Sequence, residues 1–99
     1  MATQLSLSEA LAKLGNTPEE VRDTLKVKGI KGIPKDCCRC PVANYLLAEG
    51  FKDPGVDGLE VCYYDGSECT TINTPQPIRE FIGNFDYQKE GYECLLLNN

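Results

Sequence analysis

Residues 35 to 46 read KDCCRCPVANYL, which puts three thiols within four residues of a chain that has six cysteines and no histidine. Three kinds of chemistry could use them. Zinc takes four ligands, and Cys37 with Cys40 in C-x-x-C spacing would supply half of such a site if Cys62 and Cys69 supplied the other. Against this, a C-x-x-C knuckle carries its own tight turn, whereas Pro41 starts a helix at once and the second pair is spaced more widely than in a zinc ribbon. A nucleophilic thiol is the second reading. Cys40 would sit at a helix N-terminus beside Arg39 and near Lys35, electrostatics that stabilise a thiolate. The missing part is a base, since without histidine only a carboxylate such as Asp36 could serve. The third reading is structural, a small buried thiol that packs and opens the helix. On balance we expect no bound metal, no cofactor, no disulfide in the reduced protein and no catalytic residue.

The same stretch offers a second candidate site. Lys26, Lys28, Lys31, Lys35 and Arg39 fall within fourteen residues whose one acid is Asp36, interrupted by Gly29 and Gly32. Positive charge and flexible backbone thus converge on a helix N-terminus, an arrangement that attracts the phosphate of a nucleotide or nucleic acid. Lys28, Lys31, Lys35 and Arg39 are its candidate binding residues. Pro41 removes one backbone donor, however, and no glycine-rich phosphate fingerprint is present. An ordinary solvated loop is the competing reading.

The elements that must position these residues follow from caps and periodicity. Ser6 or Ser8 caps a short helix from Glu9 to Leu14, with Gly15 as its stop. Thr17-Pro18-Glu19-Glu20 begins a second, with a hydroxyl cap, proline in the first turn and a carboxylate to close a capping box. Val21, Leu25 and the stem of Lys28 share its face, and Gly29 ends it. The segment GIKGIPKD is a loop. A third helix runs from Pro41 through Val42, Ala43, Leu46 and Leu47 to Gly50. Asp53-Pro54-Gly55 and Asp57-Gly58 read as turns. LEVCYY and SECTTI then flank Asp65-Gly66 as a hairpin with Cys62 opposite Cys69. Leu59, Val61, Tyr63 and Ile72 line its other face. Thr74-Pro75 opens a fourth helix whose Ile78, Phe81, Ile82 and Phe85 form a buried stripe. The tail is undecided between an edge strand over 93–97 and a last helical turn. The predicted fold is α+β: about four helices packed on a hairpin, with Leu46, Leu47, Phe81 and Ile82 joining the inward hairpin face as core.

Ninety-nine residues suffice for one domain with one modest core. Apolar content of 41% and charged content of 25% are those of a soluble globule. MATQLSLSEA lacks the basic and apolar regions of an export signal, so a cytoplasmic protein with no membrane association is expected. Net charge is −5 and unevenly divided. Residues 1–35 carry six basic and four acidic side chains, a balance of +2, and the rest four and eleven, a balance of −7. Tyr64, Tyr87 and Tyr92 read as exposed aromatics on the acidic part. Tyr92 with Glu90 and Glu93 is therefore the candidate surface for a basic protein partner.

GIKGIP, then CPVANYL, then the hairpin followed by TPQPIREFIGNFD resembles a pattern found in small single-domain proteins of actinobacteria and their phages. There a Gly-rich turn, a Cys-Pro helix start and a TP-x-x-I-x-x-F-I helix recur. The resemblance spans Gly29 to Asp86 and implies a genomic setting rather than a reaction. Cys37 and Cys38 depart from the pattern, which counts against a fixed multi-cysteine metal site. The expected function is that of a small non-enzymatic interaction protein, phage-encoded by resemblance, acting on a host or viral macromolecule. The alternatives are nucleotide or nucleic-acid binding through Lys26 to Arg39 and a zinc or thiol site at Cys37–Cys40.

Overall fold

The computed structural model describes residues 6–97. Helix α1 (Leu7–Ala12) begins at a closed capping box: the Ser6 hydroxyl accepts the Glu9 amide at 3.1 Å, and the Glu9 carboxylate accepts the Ser6 amide at 3.0 Å. It therefore starts before the expected Glu9, and Leu14 is buried beyond its end. Helix α2 (Pro18–Lys28) has the expected Thr17 cap and stops at Gly29. Its box is displaced by one residue, because the Glu20 carboxylate accepts the Asn16 amide at 2.7 Å rather than that of Thr17. Val21 and Leu25 are buried, while Lys28 is exposed.

Helix α3 (Pro41–Ala48) opens at Cys40, as the Cys-Pro pair requires. Its buried arc is Val42, Ala43, Tyr45 and Leu46, and at ~100° per residue Leu47 falls outside that arc. Leu47 is 49% exposed, which corrects its assignment to the core. Tyr45, buried, donates its hydroxyl hydrogen to the Ala10 carbonyl at 2.7 Å and ties α3 to α1.

The sheet has three antiparallel strands in the order β1 (Lys52–Val56), β2 (Glu60–Asp65), β3 (Glu68–Asn73). Strand β1 occupies the Asp53-Pro54-Gly55 segment that reads as a turn. A bulge between Lys52 and Gly55 accommodates it, with Asp53 at φ 47°. The third strand thus lies before the hairpin. Residues 93–97 instead contain a 3-10 turn, Glu93–Leu95, and a single parallel bridge from Gly32 to Leu96. A Cβ on Gly32 would run into the backbone of Arg39, Cys40 and Pro41, so only glycine lets this loop lie so close to the start of α3.

The hairpin turns at Gly66-Ser67, because Gly66 (φ 68°) takes the first turn position, where a positive φ favours glycine. Cys62 therefore faces Thr71 and Tyr64 faces Cys69, correcting the expected Cys62–Cys69 pair. Moving the turn by one residue shifts partners by two, so each side chain keeps its expected face. Val61 is fully buried and Tyr63 and Ile72 are half-buried, but Leu59 is 77% exposed and does not belong to the core. It lies before the first paired residue of β2, beyond the packed surface.

Helix α4 (Gln76–Asp86) buries Ile78, Phe81, Ile82 and Phe85 as its stripe demands. Pro75 is its cap, with no side-chain capping bond. Thr74 is buried and donates its hydroxyl hydrogen to the Asp57 carbonyl at 2.7 Å, so it fastens the hairpin base rather than capping α4. Among the described residues the result is an α+β fold with four helices and a three-stranded sheet. No helix among the described residues is long and apolar enough to cross a membrane.

Candidate functional site

Local chemistry fixes the cysteine loop before α3. The Asp36 side chain accepts the Cys38 amide at 3.0 Å, its carbonyl accepts the Arg39 amide at 3.2 Å, and the Cys37 carbonyl accepts the Val56 amide of β1 at 2.8 Å. Cys40, 4% exposed, turns inward and its Sγ accepts the Ala43 amide at 3.4 Å. Cys37 and Cys38 stay exposed with sulfurs 3.4 Å apart.

A cavity of about 170 Å³ lies beneath the loop, lined among others by Lys35, Cys37, Cys40, Asp57 and Asp86. It does not activate Cys40. Burial pushes that thiol up to about 11, outweighing the α3 amides that draw it down. The helix-terminus argument for a thiolate thus fails on desolvation. The contact with the Cys38 thiol, followed by burial, also holds the Cys37 thiol above its ordinary value. The second cysteine pair is not the facing pair that a zinc reading needs, since Cys62 and Cys69 are diagonal neighbours on one hairpin face. All six thiols are free.

Lys28, Lys31, Lys35 and Arg39 are all exposed. Lys35 is engaged, with its ammonium 5.0 Å above the centre of the Tyr87 ring and its amide donating to Asp86 at 2.9 Å. At the start of α3, Pro41 has no N–H and the Ala43 amide is turned to the Cys40 sulfur, leaving few backbone donors for a phosphate. The arrangement expected for an anion is therefore interleaved with carboxylates and partly occupied.

Tyr92 is not a surface anchor. It is 1% exposed, with its ring 5.8 Å from Phe81, the Arg22 guanidinium 5.4 Å above its centre, and its hydroxyl accepting from Asn84 at 3.1 Å. The tail folds back onto α4 and α2, which a tyrosine in the polar stretch Glu90-Gly91-Tyr92-Glu93 does not reveal. Glu90 and Glu93 remain exposed but lose the aromatic they were to flank. Tyr64 and Tyr87 are exposed as expected, Tyr64 on the hairpin.

The feature the sequence reading missed is the outer edge of β3. The closing pair of a two-residue hairpin is hydrogen-bonded, and bonded pairs alternate along the ladder. Asp65/Glu68, Tyr63/Thr70 and Val61/Ile72 are thus bonded, and the Thr74 amide continues the pattern at 3.0 Å to the Leu59 carbonyl. The backbone groups of Cys69, Thr71 and Asn73 point away from β2, and among the described residues none bonds to a third element. All three residues are exposed. A hint lay in SECTTIN itself, which holds no proline and no lysine. Comparisons with known proteins add no assignment: no protein-family model, curated protein or solved structure matches the chain.

Proposed function

We propose that this chain is a non-enzymatic interaction protein whose β3 edge captures an extended, basic segment of a protein partner by strand addition. The observation that carries this reading is the uncovered edge, whose outward groups at Cys69, Thr71 and Asn73 match the ladder of an incoming strand. Charge selects the partner's sign. The hairpin, residues 60–73, holds Glu60, Asp65 and Glu68 and no basic side chain, so basic side chains on the incoming strand meet an acidic hairpin. The exposed Tyr64 ring beside this edge adds an aromatic contact. The resemblance to small proteins of actinobacteria and their phages supports a host or viral macromolecule as the target. The burial and raised pKa of Cys40 support a role without thiol catalysis.

The test is a random peptide library panned against the folded chain and then measured against Thr71→Pro. Proline is tolerated where the N–H faces solvent on an edge strand. The variant should therefore fold normally and bind selected Lys- and Arg-bearing peptides at least tenfold more weakly, with wild-type amide shifts concentrated at Cys69, Thr71 and Asn73. Equal binding by Thr71→Pro would rule the edge out. Shifts confined to Lys28, Lys31 and Arg39, with steep salt dependence for oligonucleotides, would favour the anion-binding alternative instead.

A further inference from the structure

The adjacent thiols Cys37 and Cys38 are presented in a defined way. Their sulfurs lie 3.4 Å apart on the surface, and the turn beneath them is held by the Asp36 carboxylate, the Asp36 carbonyl and the bond from the Val56 amide. A direct disulfide suits this geometry badly. It would draw the sulfurs to ~2.05 Å, and neighbouring Cα atoms across a trans peptide are ~3.8 Å apart, below the ~4.4 Å that unstrained disulfides span. A bridging atom asks for far less movement: two sulfurs bound to one tetrahedral ion at ~2.3 Å lie ~3.8 Å from each other.

Which bridging atom fits depends on how many ligands the protein offers. A four-coordinate ion needs two more, but among the described residues no three His, Cys, Asp or Glu side chains gather as a metal set. Cys40 is buried with its sulfur on the Ala43 amide, and Asp36 is turned to the Cys38 amide. A three-coordinate trivalent centre that keeps one substituent of its own needs two soft donors and no more. We propose that Cys37 and Cys38 form a dithiol site for trivalent arsenic compounds. With an arsenoxide, R–As=O, two As–S bonds form and the As=O bond is lost. Both thiol protons leave with that oxygen as water, and no oxidation state changes, so no oxidant is required.

Native mass spectrometry of the full chain with phenylarsine oxide tests this, in a Cys62→Ser/Cys69→Ser background to remove the other neighbouring thiols. One equivalent should add with loss of one water, be stripped by 1,2-ethanedithiol and survive excess monothiol. Cys38→Ser, at an exposed position, should abolish the adduct while leaving circular dichroism unchanged. The folded chain should bind about tenfold more tightly than the free peptide of residues 35–39, because the fold has already ordered the two thiol side chains that the peptide must order on binding. Oxidised glutathione should leave the 37–38 pair open. An adduct that persists in Cys37→Ser/Cys38→Ser, equal affinity for the free peptide, or ready formation of a 37–38 disulfide would each overturn the assignment.

Discussion

The two edges of the sheet are built in opposite ways. The outer edge of β1 is blunted three times over: Asp53 bulges it, Pro54 offers no N–H, and the Val56 amide is taken by the Cys37 carbonyl. The outer edge of β3 has none of these devices over six residues, nor any lysine. An open edge invites pairing with other chains, and proteins ordinarily block it. Protection of one edge alone is what supports the proposed strand capture at the other. The closed edge is tied to the cysteine loop before α3 through the Val56 amide, whereas the β3 edge has no such tie among the described residues; away from the sheet edge, Tyr92 of the tail is buried against Phe81 while Tyr64 on the hairpin is exposed.

Substitutions test that contrast directly. The largest effect is expected in the core, where Tyr92→Ala removes a ring packed on Phe81 beneath Arg22 and should cost about 3–5 kcal/mol in chemical denaturation. Tyr64→Ala, on the hairpin, should change stability by less than about 0.5 kcal/mol. Similar losses at both tyrosines would erase the distinction.

Next comes pH. The folded state raises the Cys40 thiol from an ordinary 9.0 to about 11, so the unfolded chain ionises first as pH rises. Stability should be intact well below pH 9, fall by about 2 kcal/mol by pH 11 and level off at higher pH. Cys40→Ala should flatten that part of the profile, and an unchanged slope would mean that Cys40 is not the group responsible.

Two prolines probe the ladder itself. Thr70 is paired towards β2 and Thr71 away from it. Thr70→Pro should therefore cost about 2 kcal/mol through the lost ladder bond, while Thr71→Pro stays within about 1 kcal/mol. The reverse order would show that β3 presents its other residues outward. The smallest effect belongs to Leu59→Ser, expected within about 0.5 kcal/mol because the side chain is 77% exposed. A larger loss would return Leu59 to the core.

What was legible in the chain is what depends on near neighbours. Thr17-Pro18 and Cys40-Pro41 start helices because capping and proline geometry act within one turn. The stripe from Ile78 to Phe85 and the alternation about Val61 select the buried faces through periods of 3.6 and 2. The candidate site was less legible. The sequence located the thiols and lysines correctly on a loop and at a helix start, but the inward turn of Cys40 and the contact of Lys35 with Tyr87 depend on residues far along the chain.

Caps, turns and periodicity thus specify the four helices of the described residues, the existence of the hairpin and which hairpin face lies inward. Tertiary structure alone decided that Asp53-Pro54-Gly55 is a strand, that Tyr92 is core, that Thr74 fastens Asp57, and that one sheet edge is closed and the other open. The physical reason is range. A cap or a helical stripe is complete within a few residues, whereas an edge is closed or open according to whether a distant segment, such as the Cys37 carbonyl at Val56, supplies the missing partner.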